Sequence, residues 1–287
     1  MRNLLSQTQG ITAPGVFDAL TSLLAEQAGF KAVYLSGASI AYTQLGRPDL
    51  GFLSLAQLAD IVSRIRQRVE TAIIVDADTG FGNALNVVHT VRTLECAGAN
   101  AIQLEDQQMP KRCGHLAGKT LISCAEMVGK IHAAVDARMS EDTLIIARTD
   151  GIAVEGFDHA LDRAAQYQAA GADVLFIEAP KTQPQMEQIA AQFSGQIPLL
   201  ANMVEGGKTP IQSTDELHAL GFKLVITPGS LARAMAFAAS QLLDTLQSEG
   251  STRGMADKMY TFSQLNDRVG LPDMLALGER YREDAAE

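Results

Sequence analysis

The residues with the clearest capacity for chemistry lie in one short stretch, Lys111-Arg112-Cys113-Gly114-His115. It follows an apolar run that ends in Glu105-Asp106, and the residues after that run show neither helical nor strand periodicity. A long structureless loop in a compact domain is usually a functional lid or a disordered segment. Neighbouring cations lower the pKa of a thiol, so Cys113 is suited to giving a proton to a carbanion-like centre. We interpret the stretch as a catalytic lid with an acid thiol; the alternative is a cysteine buried as a small hydrophobic residue.

A second group of reactive residues is a pair of carboxylates, Asp76 and Asp78, at the end of another apolar run. Residues two apart on an extended strand point to the same face, so these side chains are expected to lie close together. Glu105 and Asp106 at the next strand end supply further carboxylates. Mg²⁺ prefers octahedral oxygen ligation and keeps several waters, so one or two direct carboxylates are sufficient. These acids predict a divalent metal site, although a bare Asp-x-Asp pattern also occurs in solvated loops.

The elements that must position these residues are apolar runs separated by helical patterns. The predicted strands are Ile11–Phe17, Ala32–Leu35, Ala72–Val75, Ala101–Leu104, Thr143–Ala147, Val174–Ile177, Pro198–Ala201 and Lys223–Ile226. The predicted helices between them are Ala19–Ala28, Ser54–Arg68, Ala84–Ala97, Ala125–Ala137, Phe157–Ala170 and Pro184–Phe193. Near-continuous apolar runs are typical of parallel strands buried on both faces, and eight of them alternating with helices predict a (β/α)8 TIM barrel. An open doubly wound sheet is the alternative, disfavoured because no Gly-x-Gly-x-x-Gly follows the first strand.

Polar residues follow most of the predicted strands directly. They are Ser36-Gly37-Ala38-Ser39, Asp76 to Asn83, Glu105-Asp106, Arg148-Thr149-Asp150, Glu178-Ala179-Pro180, Asn202-Met203 and Thr227-Pro228. The carboxyl ends of barrel strands carry the active site, so these residues are expected at one rim. Arg148 ends an apolar strand, where an unpaired charge is expensive to bury, so it needs a carboxylate from the substrate or from Asp150. Glu178 is enclosed by apolar residues in the same way, and a rim ion pair is its alternative role.

The Lys-Arg-Cys-Gly-His stretch after a strand ending Glu-Asp-Gln resembles the signature of the isocitrate lyase / phosphoenolpyruvate mutase superfamily, on its lyase side. Further motifs of that superfamily run from Tyr34 to Pro228, so the resemblance covers most of the chain. It implies a mobile gating loop whose cysteine is the catalytic acid. The catalytic residues it implies are Cys113, Lys111, Arg112, His115 and Glu178.

The resemblance also implies how metal and substrate are bound. Asp78, followed by Thr-Gly-Phe-Gly-Asn, is expected to reach Mg²⁺, for which Mn²⁺ is a substitute. Asp76, Glu105 and Asp106 would support the ion through water. The implied substrate-binding residues are Tyr34, Ser36, Gly37, Ala38, Asp49, Arg148, Asn202 and Gly114. Backbone N–H groups of Ser36-Gly37-Ala38 would receive a substrate carboxylate, with an ordinary strand-to-loop turn as the alternative.

A metal, cationic clamps and a lid thiol suit cleavage of a carbon–carbon bond next to a carboxylate. Ser36-Gly37-Ala38 and Glu205-Gly206-Gly207 depart from the usual methylisocitrate lyase pattern and resemble the 2,3-dimethylmalate lyase and petal death protein branch. The predicted reaction is therefore Mg²⁺-dependent cleavage of a 2-hydroxy dicarboxylate, such as a 2-alkylmalate, to a 2-oxo acid and a carboxylate through an enolate. Methylisocitrate lyase and oxaloacetate hydrolase or decarboxylase are the alternatives. Cys113 argues against the carbon–phosphorus chemistry of the mutases, whose members lack this loop.

Two further classes of protein stay open. A phosphate-handling barrel would use glycines after strands seven and eight, and Gly206-Gly207 and Gly229-Ser230 fit that pattern. Such an enzyme would need neither Cys113 nor the paired aspartates. A barrel that only binds metabolites would not need the acid thiol.

Composition restricts the partners and the compartment. The 287-residue chain carries a net charge of −10, which disfavours nucleic acid and anionic membranes as partners. It has three cysteines without paired spacing and no signal-peptide pattern at its start, which predicts a cytoplasmic protein. We expect one barrel domain over residues 1–287, with a helical tail at 250–287 that packs on or swaps with a neighbouring subunit. A homotetramer acting on a small-molecule dicarboxylate is what the resemblance implies.

Overall fold

A closed barrel of eight parallel strands forms the centre of the fold, and each strand pairs with the next along the chain. The computed structural model describes residues 1–7, 10–114, 116–210 and 212–282. The strands are β1 (Ile11–Val16), β2 (Ala32–Leu35), β3 (Ala72–Asp76), β4 (Ala101–Glu105), β5 (Leu144–Thr149), β6 (Val174–Ile177), β7 (Leu199–Asn202) and β8 (Phe222–Thr227). β8 returns to pair with β1, with Ile11 opposite Leu224. The barrel prediction is confirmed, and the open sheet is excluded.

Helices alternate with the strands along the chain, and further helices follow the last strand. They are α1 (Arg2–Gln7), α2 (Ala19–Gln27), α3 (Gly37–Ile40), α4 (Leu55–Arg66), α5 (Ala84–Ala97), α6 (Cys124–Ala137), α7 (Gly151–Val154), α8 (Phe157–Ala169), α9 (Gln183–Phe193), α10 (Thr214–Leu220), α11 (Ser230–Glu249), α12 (Phe262–Arg268) and α13 (Leu271–Glu279). Capping side chains set where several begin: Asp18 accepts from Thr21 N, and Ser54 accepts from Gln57 N. Gly98 ends α5 in the left-handed conformation that glycine adopts without a steric cost.

Two layers of apolar side chains make up the core. Inside the barrel lie residues such as Tyr34, Ile74, Ile146 and Phe176, all buried. A second and larger layer fills the space between the strands and the surrounding helices. Every strand is thus covered on both faces, which explains why the strands read as unbroken apolar runs. In the described part of the chain no helix is both long enough and apolar enough to cross a membrane.

The chain divides into two compact units, Met1–Ala232 and Arg233–Glu287. The boundary lies within α11, earlier than the predicted start of the tail. The second unit holds a 3₁₀ turn at Arg253–Lys258 followed by α12 and α13. Large apolar side chains of this unit are exposed, among them Leu265, Val269, Leu271, Met274 and Leu277, which are between 40% and 61% accessible.

Candidate active site

Buried carboxylates gather around one lysine at the carboxyl ends of β2 to β4. Lys111 Nζ lies 2.7 Å from Asp49 Oδ1 and 2.6 Å from Asp78 Oδ1. Burial alone would lower the pKa of Lys111, but the charges of Asp78, Glu105, Asp49 and Asp76 raise that pKa well above its usual value. The structure therefore brings together predicted metal, substrate and catalytic residues, and Lys111 is held as a cation.

Asp78 occupies an unusual backbone position. Its φ angle is 48°, in the left-handed region that few non-glycine residues enter, although aspartate is among those that tolerate it. Such a conformation costs about 1–3 kcal/mol and is found mostly at functional sites. The carboxyl group is 4% exposed, and this burial raises its pKa to about 7 against the opposing effect of Lys111. The turn after β3 thus holds Asp78 in a position where a further cation would be favourable.

Asp76 is supported from within the barrel by Gln103, which is not among the predicted site residues. Gln103 Nε2 donates to Asp76 Oδ1 over 3.1 Å, and Tyr34 donates its hydroxyl to Gln103 Oε1 over 3.0 Å. Burial raises the pKa of Tyr34 well above its usual value, so the phenol stays protonated. Tyr34 was predicted to bind substrate, and in the structure it orients the amide that orients Asp76. Gln103 could have been identified from the sequence, because it is the single polar residue in the apolar run of β4.

Arg148 lies across the mouth of the barrel between two acids. Its Nη1 is 3.2 Å from Glu105 Oε2, and its Nε is 3.0 Å from Asp150 Oδ2. The guanidinium carbon also lies 5.1 Å from the ring centroid of Phe176, within cation–π range. The ion pair between Arg148 and Asp150, one of the two partners that the sequence allowed for Arg148, is therefore present. These contacts fix a cation at the carboxyl end of β5, where an anionic substrate group would meet it.

The described residues of the loop after β4 contact the strand ends at several points, and Gly114 makes one of the closest approaches. A Cβ atom at Gly114 would overlap Arg148 Nη2 and Glu178 Oε1, so the lid backbone lies directly against these two side chains. Next to it, the Cys113 N–H group donates to Asp49 O over 3.4 Å. Cys113 is half-buried. The thiol residue is therefore held beside the carboxylate cluster, as the acid hypothesis requires.

The other predicted lid residues have different positions. Arg112 is exposed; its Nη1 donates to Ala117 O over 3.0 Å, and its backbone N–H donates to Gln107 Oε1 over 3.0 Å. It shapes the outer side of the lid and lies apart from the carboxylates. The predicted role of His115 concerns a position outside the described residues.

Asp106 lies on the opposite side of β4 from Glu105, because successive strand residues point to opposite faces. Its carboxylate accepts hydrogen bonds from Thr149 Oγ1 (2.7 Å), Tyr167 OH (2.8 Å) and the Asp150 N–H (2.9 Å), and Arg163 Nη1 lies 3.4 Å away. Both oxygens are therefore used between the barrel and α8. The structure does not bring Asp106 to the other predicted metal residues, and we place it outside the proposed metal set.

Glu178 and Asn202 form a pair at the ends of β6 and β7. The Asn202 amide donates to Glu178 Oε2 over 3.2 Å, and Glu178 is 1% exposed. Asn202 Oδ1 is buried and has no hydrogen-bond partner among the described residues. This pair lies at the lid tip because Glu178 also contacts Gly114. A ligand that donates to Asn202 Oδ1 would satisfy the amide fully.

The Ser36-Gly37-Ala38 stretch adjoins the paired aspartates. Ser36 caps the short helix α3 by accepting from Ser39 N over 3.2 Å. A Cβ atom at Gly37 would lie 3.5 Å from Asp78 Oδ1 and 3.6 Å from Asp76 Oδ2. The first N–H groups of a helix have no partner within the helix, so this turn has donors available beside the carboxylates.

The donor set of the cluster fits a hard divalent cation. All of its ligand atoms are carboxylate oxygens, and Glu105 Oε1 is buried without a hydrogen-bond partner in the described part of the chain. The four acids Asp49, Asp76, Asp78 and Glu105 face one lysine and one arginine. Among the described residues no group of three or more His, Cys, Asp or Glu side chains is placed to hold a metal ion by itself. Mg²⁺ needs only one or two direct carboxylates, so this arrangement suffices.

Buried acids, an arginine clamp and a thiol-bearing lid at the carboxyl ends of (β/α)8 strands define a barrel enzyme for anionic substrates. A family model described as phosphoenolpyruvate phosphomutase matches residues 1–246, and the chain belongs to that family. It is 43% identical to 2,3-dimethylmalate lyase of Eubacterium barkeri over 98% of this chain and 96% of that protein. It is 47% identical to 2-methylisocitrate lyase of Aeropyrum pernix, over 95% and 87% of the two chains.

Solved structures agree with this assignment. A 2,3-dimethylmalate lyase, named as a member of the PEP mutase/isocitrate lyase superfamily, is 35% identical with a TM-score of 0.91 over 97% of this chain and 93% of that chain. An oxaloacetate acetylhydrolase bound to 3,3-difluorooxalacetate is 34% identical, with a TM-score of 0.91 and 97% and 94% coverage. A phosphonopyruvate hydrolase in complex with oxalate and Mg²⁺ is 30% identical, with a TM-score of 0.87 and 98% and 99% coverage. The predicted superfamily is confirmed, and the chain is a carbon–carbon lyase within it.

Proposed function

We propose that the protein cleaves the C2–C3 bond of a 2-hydroxy dicarboxylate, a 2-alkylmalate such as 2,3-dimethylmalate, with Mg²⁺ as its cofactor. The products would be a 2-oxo acid and a carboxylate. The observation that carries this proposal is the seating of the Cys113-Gly114 lid tip on Arg148 and Glu178, beside the buried carboxylates. The 43% identity to a 2,3-dimethylmalate lyase supports the choice of substrate.

Asp78, Asp76 and Glu105 are the residues that would hold the metal, directly or through water. When bound, Mg²⁺ would polarise the 2-hydroxyl and the neighbouring carboxylate of the substrate. Tyr34 and Gln103 keep Asp76 oriented, and the left-handed turn keeps Asp78 directed into the mouth of the barrel. The relative that binds oxalate and Mg²⁺ supports this assignment. Mn²⁺ would serve as a substitute, since it also accepts oxygen ligands.

Charge that develops on the substrate is stabilised by residues of the lid and the strand ends. A base takes the 2-hydroxyl proton, and the C2=O bond of the 2-oxo acid forms as the C2–C3 bond breaks. C3 leaves with the electron pair of that bond as the enolate of a carboxylate. Arg148 is held by Glu105 and Asp150, so it can meet that carboxylate without reorganising. Asn202 and the N–H groups of the Ser36-Gly37-Ala38 turn would bind the remaining substrate oxygens.

Cys113 is proposed to give its proton to C3, which completes the carboxylate product. It lies on the lid segment that contacts Asp49 and Arg148, so it reaches the substrate only when the lid covers the site. Closure also excludes water while the carbanion exists. Lys111 belongs to the same lid and carries positive charge toward the site. Glu178, whose carboxylate accepts a hydrogen bond from Asn202, is the last of the proposed catalytic residues.

The loop after β7 supports a dicarboxylate over a tricarboxylate. Ser230 Oγ, at the start of α11, donates to Glu205 Oε1 over 2.6 Å. In barrels this region, formed by the loops after strands seven and eight and a helix start, commonly binds an anion. An acid placed there repels a third carboxylate. A second candidate is 2-methylisocitrate cleavage, which the 47% identical relative favours.

The test is a substrate panel assayed with Mg²⁺. It holds 2,3-dimethylmalate, other 2-alkylmalates, 2-methylisocitrate and oxaloacetate, with pyruvate, other 2-oxo acids and oxalate as the measured products. We expect the highest kcat/KM with a 2-alkylmalate and low activity with 2-methylisocitrate. A preference for 2-methylisocitrate would replace the proposed substrate. In that case Glu205 does not select against a third carboxylate, and Glu205→Gln should leave the preference unchanged.

We propose a cytoplasmic homotetramer. The exposed apolar side chains of α12 and α13 need cover, and the resemblance implies that the tail packs on or swaps with a neighbouring subunit. Cys96, Cys113 and Cys124 are thiols and not disulfides, as expected in a reducing compartment. Light scattering at micromolar concentration should give four times the chain mass, and an active monomer would refute the assembly.

A further inference from the structure

A buried lysine that the proposed chemistry does not use lies at the base of the lid. Lys119 is 8% exposed, and its Nζ is 2.7 Å from Asp150 Oδ1. The same Nζ donates a hydrogen bond to Gly114 O. A buried ammonium is tolerated only when it is paired and hydrogen-bonded, and Lys119 has an anionic partner in Asp150 and a hydrogen-bond acceptor in the Gly114 carbonyl. One partner belongs to the end of β5 and the other to the tip of the lid.

The base of the lid is fixed by hydrogen bonds between its two ends, whereas the tip contacts side chains and the Asp49 carbonyl. Gln107 pairs with Leu121 in an antiparallel bridge, Gln108 N–H donates to Thr120 O over 2.8 Å, and Ile122 N–H donates to Asp106 O over 3.0 Å. Lys119 belongs to this fixed base. Its side chain reaches from the base to the Gly114 carbonyl, so it bridges the fixed and the covering parts of one loop.

Asp150 gives the bridge a rigid anchor. Burial alone would raise its pKa, but Arg148 and Lys119 hold the pKa of Asp150 below its usual value, so it stays anionic. Its backbone N–H donates to Asp106 Oδ1 over 2.9 Å, and its side chain also accepts from Arg148 Nε over 3.0 Å. Asp150 therefore connects Lys119 to the guanidinium against which Gly114 packs.

We propose that Lys119 is a positioning residue that latches the lid in its closed position and thereby places Cys113. When the lid opens, Lys119 keeps Asp150 as its partner and loses only the Gly114 carbonyl. The ammonium thus adds a charge-assisted hydrogen bond to the closed state alone. This inference rests on the proposed function for its catalytic consequence, but the latch itself can be tested without turnover.

The test measures lid opening by the rate at which iodoacetamide alkylates Cys113 in the full-length protein with Mg²⁺, with and without oxalate. Peptide mass spectrometry separates Cys113 from Cys96 and Cys124. Loss of one charge-assisted hydrogen bond should shift the closed-to-open ratio about tenfold or more, so Lys119→Met should be alkylated at Cys113 about tenfold faster. Its kcat should fall more than its KM rises, and Lys119→Arg, which keeps a cationic donor, should recover protection.

The matched control is Lys130→Met, which also removes a buried lysine. Lys130 is 3% exposed and donates to Thr79 O over 3.1 Å, in the turn after β3, instead of to a lid carbonyl. In Lys130→Met, the alkylation rate of Cys113 should equal that of the wild type. If Lys130→Met and Lys119→Met both accelerate alkylation equally, loss of any buried lysine destabilises the fold in the same way, and the latch is refuted. If Lys119→Met does not fold, Lys119→Gln carries the same expectation. If Lys119→Met turns over substrate and its Cys113 is alkylated at the wild-type rate, the latch is refuted. If Cys113 is alkylated faster but no compound of the panel is a substrate, only the proposed function is refuted.

Discussion

Substitution of Gly114 by alanine is the perturbation that the structure describes most directly. Gly114 does not have a positive φ angle, so alanine is compatible with its backbone conformation. The added Cβ atom would overlap Arg148 Nη2 and Glu178 Oε1. The effect of Gly114→Ala is therefore steric and confined to the closed lid.

The two contacted groups cannot move away cheaply. Arg148 is 7% exposed and holds Glu105 and Asp150 at 3.2 Å and 3.0 Å, and Glu178 is 1% exposed and accepts from Asn202. Making room would break these buried contacts, so the lid tip has to rise instead, on the order of 1 Å. A misplacement of about 1 Å can reduce a catalytic rate about 100-fold. We expect kcat/KM of Gly114→Ala to fall by about that factor.

The assay compares kcat/KM for the best substrate of the panel with the free energy of unfolding from urea titration. Stability should change by no more than about 1 kcal/mol, because an open lid accommodates the methyl group. Gly129→Ala is the control, since a Cβ at this position in α6 meets nothing within 4 Å; it should keep full activity and be stabilised by about 0.5–1 kcal/mol. Wild-type kcat/KM in Gly114→Ala would refute the packing of the lid tip on Arg148 and Glu178.

Two further predictions concern the carboxylates. EDTA should abolish turnover and Mg²⁺ should restore it in the wild type, whereas Asp78→Asn should show weakened Mg²⁺ binding by calorimetry; full activity of metal-stripped Asp78→Asn would contradict the metal site. Asp106→Ala should lower the free energy of unfolding by about 3–5 kcal/mol, because it leaves the Thr149 hydroxyl, the Tyr167 hydroxyl and the Asp150 N–H without their buried acceptor. Its Mg²⁺ affinity should be unchanged, and a loss of affinity with intact stability would return Asp106 to the metal set.

The strands were predictable almost to the residue because each is a buried parallel strand, and burial on both faces leaves an unbroken apolar run. β3, for example, was predicted at Ala72–Val75 and spans Ala72–Asp76. The polar residues after the strands were predictable for a related reason, since a parallel barrel places all carboxyl ends at one rim. The short helices α3 and α7 were missed, because four residues are too few to show a period.

Contacts made across the barrel could not be read from the sequence. Lys119 is one of several lid cations, and only the path of the loop shows that it reaches both Gly114 and Asp150. Gln103 carried a signal, since a polar side chain inside an apolar strand must have a partner. Strand alternation would also have separated Glu105 from Asp106, because neighbouring residues point to opposite faces.

The measurement that tests the central claim most directly is the kinetic comparison of Cys113→Ser with the wild type. Serine keeps the size of the side chain but is a far weaker acid, and general acid catalysis contributes typically about 10²–10⁴-fold. We predict that kcat for the best 2-alkylmalate falls by about that factor while KM changes little, because Arg148, Asn202 and the metal residues are intact. Cys96→Ser, at an exposed position, should match the wild type. An unchanged kcat in Cys113→Ser would show that the thiol is not the acid and would contradict the proposed lyase mechanism.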